Sequence, residues 1–153
     1  MPFVVERSSV LHADPHEVWA AVSTIEGVNR ELAPWVRMTV PGAATGMRLE
    51  DAPLGRPVFT SWLLLLREIP FDRHRLVLVE VEPGRRFLER SSSWLHRVWQ
   101  HERIVEPRPE GCRVTDRIMF EPWLPLVGKL ARPVVDALFR SRHRALRQRY
   151  GPQ

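Results

Sequence analysis

The sequence predicts an α+β fold, a curved antiparallel sheet of about seven strands wrapped around a long C-terminal helix, with two short helices after the first strand. Three observations predict it. Residues 125–150 read as one helix, about seventy residues before them read as strands joined by short turns, and residues 14–32 carry two brief helical patterns. Strands joined by short turns pair as a meander, and a strongly curved meander can grip the helix that follows it.

The terminal helix rests on periodicity. At 100° per residue, Val127, Leu130, Ala131, Val134, Leu138, Ser141 and Ala145 gather on one side, with Lys129, Arg132, Asp136, Arg140, His143 and Arg147 opposite. Pro125 suits a first turn, whose N–H needs no partner, and Gly151-Pro152 stop the helix after Tyr150. Pro133 cannot donate to the carbonyl four residues back, which predicts a kink or break dividing the helix in two.

Phe3 to His12 reads as the first strand, with Phe3, Val5 and Val10 inward. Asp14 then caps a helix, Pro15 takes its first position, Glu17 can reach back to the cap, and Val18, Trp19, Ala21, Val22 and Ile25 follow at helical spacing. A second helix runs from Ile25 to Leu32, and Gly27 predicts a break between the two. Val36 to Val40 is a short strand. Pro41 to Pro57, rich in glycine and proline, is a loop or poorly paired hairpin. Strands follow at 58–69, 75–81, 86–94, 97–106 and 112–121, with turns at Pro70-Phe71-Asp72, Pro83-Gly84 and Arg108-Pro109-Glu110-Gly111.

A chain of 153 residues fits one domain spanning 1–153, large enough to enclose a cavity in its core. With 44% hydrophobic and 27% charged residues it reads as globular, and no run approaches the roughly 18–20 apolar residues of a membrane span. The stretch up to Arg7 lacks the pattern of a secretory signal. Cys112 alone cannot form an internal disulfide, which fits a cytoplasmic protein, and beside Gly111 it reads as structural. The net charge of +5 resides in Arg140, Arg142, Arg144, Arg147 and Arg149 at one helix end, where cations complement the helix dipole. The rest of the chain balances, so no nucleic-acid partner is expected.

Four segments resemble the helix-grip superfamily of polyketide cyclases, birch-pollen-allergen-like proteins and lipid-transfer domains. Asp14-Pro15-His16-Glu17-Val18-Trp19 is similar to the superfamily's D-P-x-x-V-W helix start. Trp99-Gln100-His101-Glu102-Arg103 with Val105-Glu106-Pro107, then Thr115-Asp116-Arg117, then Phe139-Arg140-Ser141-Arg142-His143-Arg144-Ala145-Leu146 follow in order. The last resembles the F-x-x-R-H-R-x-L of a bacterial ligand-binding branch, which often shows W-x-H-x-H-x-F where this chain has Trp99, His101, Arg103 and Val105. Arg103 thus replaces a second histidine. The resemblance covers nearly the whole chain and implies a helix-grip ligand-binding domain.

Strand alternation puts Trp99, His101, Arg103 and Val105 on one face. If inward, they offer an aromatic plate, an imidazole and a guanidinium to an amphipathic ligand. The competing arrangement turns His101 and Arg103 to solvent or pairs them with carboxylates on neighbouring strands. Arg142, at the edge of the apolar helix face, needs a partner, with Asp116 or Glu121 expected, or it anchors a ligand. Leu130, Val134 and Leu138 would line a cavity. No histidine pair has metal-ligand spacing: His12 and His16 span a break, and His96 and His101 fall on opposite faces of a regular strand. Ser91-Ser92-Ser93 reads as solvated strand, with no nucleophile elbow.

The expected function is binding of a small hydrophobic or amphipathic molecule, a lipid, sterol or aromatic polyketide-like compound, between sheet and terminal helix. The candidate ligand-binding residues are Trp62, Trp99, His101, Arg103, Leu130, Val134, Leu138 and Arg142. One alternative is a metal-free cyclase or dehydratase with His101 as general base and Arg103 stabilising an enolate. Another is a protein-interaction module with a vestigial cavity, and a third is a membrane-surface role for the arginine-rich helix end. No cofactor or metal is expected, and a homodimer is left open.

Overall fold

The computed structural model describes residues 2–151; the expected stop at Pro152 lies outside them. The chain runs β1 (Phe3–Leu11), α1 (Pro15–Val22), α2 (Ile25–Leu32), β2 (Val36–Met38), β3 (Pro57–Leu65), β4 (Ile69–Glu82), β5 (Arg86–Ser93), β6 (His96–Arg108), β7 (Gly111–Pro122) and α3 (Pro125–Tyr150). The seven strands form one antiparallel sheet in the order β1-β7-β6-β5-β4-β3-β2. It curls around α3, giving the α+β helix-grip arrangement expected from the order of elements.

Local chemistry places most boundaries. Asp14 caps α1 by accepting from the His16 N–H at 2.8 Å, with Pro15 in the first turn. Thr24 caps α2 by accepting from the Gly27 N–H at 3.0 Å, so the break between the helices falls at Ser23–Thr24 and Gly27 lies inside α2. Its role there is close approach. A Cβ on Gly27 would stand 1.8 Å from the Ala21 carbonyl oxygen, so α2 can fold back on α1 only with glycine at that position.

The turn expected at Pro70-Phe71-Asp72 lies earlier. Leu66 and Arg67 adopt left-handed φ values of 51° and 71° and close the β3–β4 hairpin, leaving residues 70–72 within β4. Pro41 to Pro57 contains two short 3-10 turns, Gly42–Ala44 and Leu49–Asp51. In β1 the inward set is Val5, Ser9 and Leu11, and Val10 takes the outer face, as strict alternation from Val5 requires.

The α3 helix is continuous through Pro133. The hydrogen bond lost there belongs to the Lys129 carbonyl, and both residues are exposed, so water can replace the missing donor. The buried stripe is Gly128, Val135, Phe139, Arg142, His143 and Leu146, displaced by one residue, roughly 100°, from the apolar stripe of the sequence. Leu130 and Val134 are accordingly 67% and 65% exposed, and His143, expected on the outer face, is buried.

The inner faces pack in three tiers. One apolar cluster contains Leu11, Trp19, Leu78, Val105, Val114 and Leu146, and a second contains Val5, Ile118, Phe120, Val135 and Phe139. The residues between them on each element are polar: Ser9 on β1, His101 and Arg103 on β6, Asp116 on β7, and Arg142 and His143 on α3. A charged layer therefore divides the core.

Gly27→Ala tests the helix packing. Its Cβ meets backbone that cannot swing aside, so we expect a loss of about 1–3 kcal/mol, read as a lower thermal midpoint with an unchanged far-UV spectrum.

Candidate functional site

Asp116, fully buried, is the hub of the polar layer. Its Oδ1 accepts from Arg103 Nε and His101 Nε2, and its Oδ2 from Arg103 Nη2 and His143 Nε2, all at 2.7 Å. Because an ionised carboxylate only accepts, both imidazoles carry their proton on Nε2. Nδ1 of His143 is then free to accept from Ser9 Oγ at 2.7 Å, while Arg147 donates to the same hydroxyl at 3.0 Å.

Arg103 is saturated on its other side. Nη1 and Nη2 donate to Glu31 Oε2 and Oε1 at 2.8 and 2.7 Å, and Arg142 Nε donates to Glu31 Oε1 at 3.2 Å. Glu31 is thus the partner of Arg142 in place of the expected Asp116 or Glu121, which pair with Arg103 and Arg97 respectively. The helix edge that carries Arg142 faces α2 at that level. Burial opposes the charges on Asp116 and Glu31, but the guanidiniums beside them prevail and hold both carboxyls below the ordinary range, Asp116 well below. The two carboxylates in turn hold Arg103 firmly protonated against its burial.

Above this layer the sheet, α2 and α3 enclose a cavity of about 800 Å³. Its wall is mostly apolar, including Leu32, Val36, Leu76, Phe87 and Leu138. Trp35, Leu65, Phe71 and Val134 both line it and are exposed, which places its mouth between the β3–β4 hairpin and the first half of α3. The polar groups concentrate on the sheet side: Asp72 and His74 of β4, Glu89 of β5, and His96 and His101 of β6, with Arg142 of α3 across from them.

Of the residues singled out in the sequence, Trp99, His101, Val134, Leu138 and Arg142 line this cavity. Arg103 lies behind the wall, in the competing arrangement that pairs it with carboxylates, and all the guanidinium edges it could offer a ligand are turned toward Glu31 and Asp116. Trp62 packs edge-on against Trp94 on the outer face, with Arg73 over its ring at 4.7 Å, because Ser61 and Leu63 take the inward positions of β3. Leu130 points to solvent beyond the mouth.

Several site residues escaped the sequence reading. His96 and His101 both face the cavity because a register shift between His96 and Val98 inverts the alternation expected of a regular strand. Burial lowers the affinity of His96 for a proton, with Asp72 opposing and His74 adding to the effect; its Nδ1 has no hydrogen-bond partner among the described residues. Ser91 and Ser93 are buried, contrary to the solvated strand expected. Ser91 donates to Glu89 Oε2 at 2.8 Å, and Ser93 Oγ accepts from the His96 N–H at 3.1 Å. Glu89 Oε2 also meets His74 Nε2 at 2.5 Å, and these partners overcome its burial and keep its carboxyl low. The available signal was parity: Phe87, Glu89, Ser91 and Ser93 share one face of β5. Glu31 lay three residues after Val28 on the packed face of α2.

Among the described residues no helix is long and apolar enough to cross a membrane, and no group of His, Cys, Asp and Glu side chains is placed to hold a metal ion.

A sheet curled around a C-terminal helix over such a cavity is the helix-grip architecture, and solved structures share it. A protein of Chromobacterium violaceum, CV1439, superposes with a TM-score of 0.73 at 15% identity, covering 98% of this chain and 99% of that one. The Zhui aromatase/cyclase of Streptomyces sp. R1128 gives 0.68 at 10% identity over 98% and 94%. Ara h 8.0201 gives 0.60 at 11% identity over 97% and 99%. The chain belongs to the family described as domain of unknown function DUF8410, whose profile matches residues 9–150. No curated protein matches it in sequence.

Asp116→Asn removes the charge that holds Arg103, and we expect it to cost about 3–5 kcal/mol in chemical denaturation. A carboxyl whose folded pKa lies below its unfolded value contributes stability that is complete above the unfolded value and is lost as pH falls through the folded one. The wild type should therefore lose stability progressively below about pH 4.5, and Asp116→Asn should flatten that slope.

Proposed function

We propose that the whole chain is one ligand-binding domain that holds a small hydrophobic or amphipathic molecule in the cavity between sheet and α3. The observation that carries this reading is a mostly apolar chamber of about 800 Å³ whose polar groups are concentrated on the sheet side, with Arg142 across from them. Apolar burial supplies the affinity and the polar wall the orientation, as in small-molecule sites generally. The exposed apolar rim at Trp35, Leu65, Phe71 and Val134 gives such a ligand a route in. Candidate contacts are Trp99, His101, Val134, Leu138 and Arg142, and lipids, sterols and aromatic polyketide-like compounds are the classes to screen. A buried, free Cys112, whose thiol is pushed up by burial, fits a cytoplasmic setting.

The test is native mass spectrometry of the purified protein, with organic extraction of what co-purifies, followed by a thermal-shift screen of those classes. A stoichiometric ligand or a shift of several degrees is the expected result. Leu138→Trp, which narrows the chamber from α3, should reduce that shift while keeping the far-UV spectrum. An empty protein that no apolar compound stabilises sinks the reading.

One observation favours a second reading, a metal-free cyclase or dehydratase. Asp116 fixes the Nε2–H tautomer of His101 and leaves its Nδ1 lone pair toward the cavity, the arrangement of a general base oriented by a carboxylate. Arg103 has no part in it, being sealed behind the wall; Arg142 is the guanidinium on the cavity side. Loss of turnover with retained binding in His101→Ala would establish this reading, and unchanged turnover would exclude it.

A further inference from the structure

The polar wall is a chain of hydrogen bonds with one gap. From β4 it runs His74 Nε2 to Glu89 Oε2 at 2.5 Å; from α3 it runs Arg142 to Glu31 to Arg103 to Asp116 to His101 Nε2, every link 3.2 Å or shorter. The two halves face each other at His101 Nδ1 and Glu89 Oε1, which stand 4.0 Å apart. Both residues are more than nine-tenths buried and both line the cavity. Among the described residues Glu89 Oε1 has no hydrogen bond of its own, and His74 and Ser91 both engage Oε2.

Both atoms at this gap are acceptors. Asp116 holds a proton of His101 on Nε2, so in the neutral imidazole Nδ1 presents a lone pair, and a carboxylate oxygen can only accept. A nitrogen about 2.8 Å from each would send out two N–H bonds roughly 90° apart, close to the geometry of an ammonium group. A hydroxyl carries one proton and leaves one acceptor bare. A carboxylate brings none and sets a negative charge beside Glu89.

The charge of the interior points the same way. The buried ionisable groups comprise four carboxylates, Glu31, Asp72, Glu89 and Asp116, against two guanidiniums, Arg103 and Arg142, with four histidines. A chain of net charge +5 thus encloses an interior with a two-charge excess of acid when its imidazoles are neutral. Arg142, the cation on the cavity side, is already balanced by Glu31 and lies over the Phe139 ring at 4.9 Å. It gives an anionic ligand little that Glu31 and Glu89 do not cancel.

Building on the cavity reading above, we propose that the ligand carries a primary amine, bound as the ammonium ion between Glu89 Oε1 and His101 Nδ1 with its apolar body in the chamber. Calorimetric titration of the wild-type protein with 2-naphthylmethylamine, 2-naphthalenemethanol and 2-naphthoic acid tests this on one bicyclic body with three head groups. The amine should bind at least about tenfold more tightly than the alcohol, and the acid most weakly. An alcohol or acid equal to the amine overturns the proposal and leaves the cavity reading standing; no binding of any of the three, or of naphthalene itself, overturns both. In Glu89→Gln the amine-to-alcohol affinity ratio should fall toward one, and an undiminished ratio refutes the assignment. A readout independent of any variant is the titration of the bound amine's own methylene carbon by NMR, which should show the amine keeping its proton to a higher pH than free in water; a lower value refutes the proposal.

Discussion

The interaction on which the structure depends is the double fork of Arg103, gripped by Asp116 of β7 on one edge and Glu31 of α2 on the other. A guanidinium this deeply buried is tolerable only when its donors are matched, and here the matching residues come from elements far apart in the chain. Asp116 then recruits His101 and His143, and through His143 the layer reaches Ser9 on β1. Sheet, helix pair and terminal helix are therefore registered against one another by directional bonds, where apolar packing alone would permit sliding.

That registration makes the cavity sustainable. An open chamber forfeits the dispersion contacts a filled core would supply, and side chains around it tend to collapse inward. Here the chamber stands on a layer whose members cannot relax toward it without abandoning a charge. The same layer sets the chemistry of the wall, since the Asp116 carboxylate decides which nitrogen of His101 looks into the chamber. The atoms that hold the layer together are thus also those that set the polarity of the chamber wall.

Elements whose signals are local were legible in the sequence. The Asp14-Pro15 helix start, the Pro125 entry to α3 and the alternation of β7 and of β6 from Trp99 onward appear where propensity and parity place them, and the order of elements was enough for the fold. The rotation of α3 was not legible, because Leu130, Val134 and Leu138 form the more hydrophobic stripe, of which Leu130 faces solvent and Val134 and Leu138 line the cavity, while the packed stripe includes Arg142 and His143. Hydrophobic periodicity cannot see a buried face whose polar members are all satisfied. Trp99, His101 and Arg142 were found through motif and parity. Parity on β5 and spacing from Val28 on α2 marked Glu89 and Glu31 as inward, but their partners, like the placement of His74 and His96, depend on contacts between distant elements and on one irregularity in β6, which no local window contains.

That irregularity reaches beyond the two histidines it unites. Residues of β6 on either side of the shift obey opposite parity, so the strand presents two independently phased segments to the interior. Deleting Arg97 would erase the shift and leave His96 inward opposite Pro122, whereas deleting His96 would bring Arg97 to that inward position, and in both cases Trp99, His101 and Arg103 would keep their places in the ladder. A single-codon deletion at this point can thus exchange one residue at the end of the chamber's lining while the charged layer stays untouched.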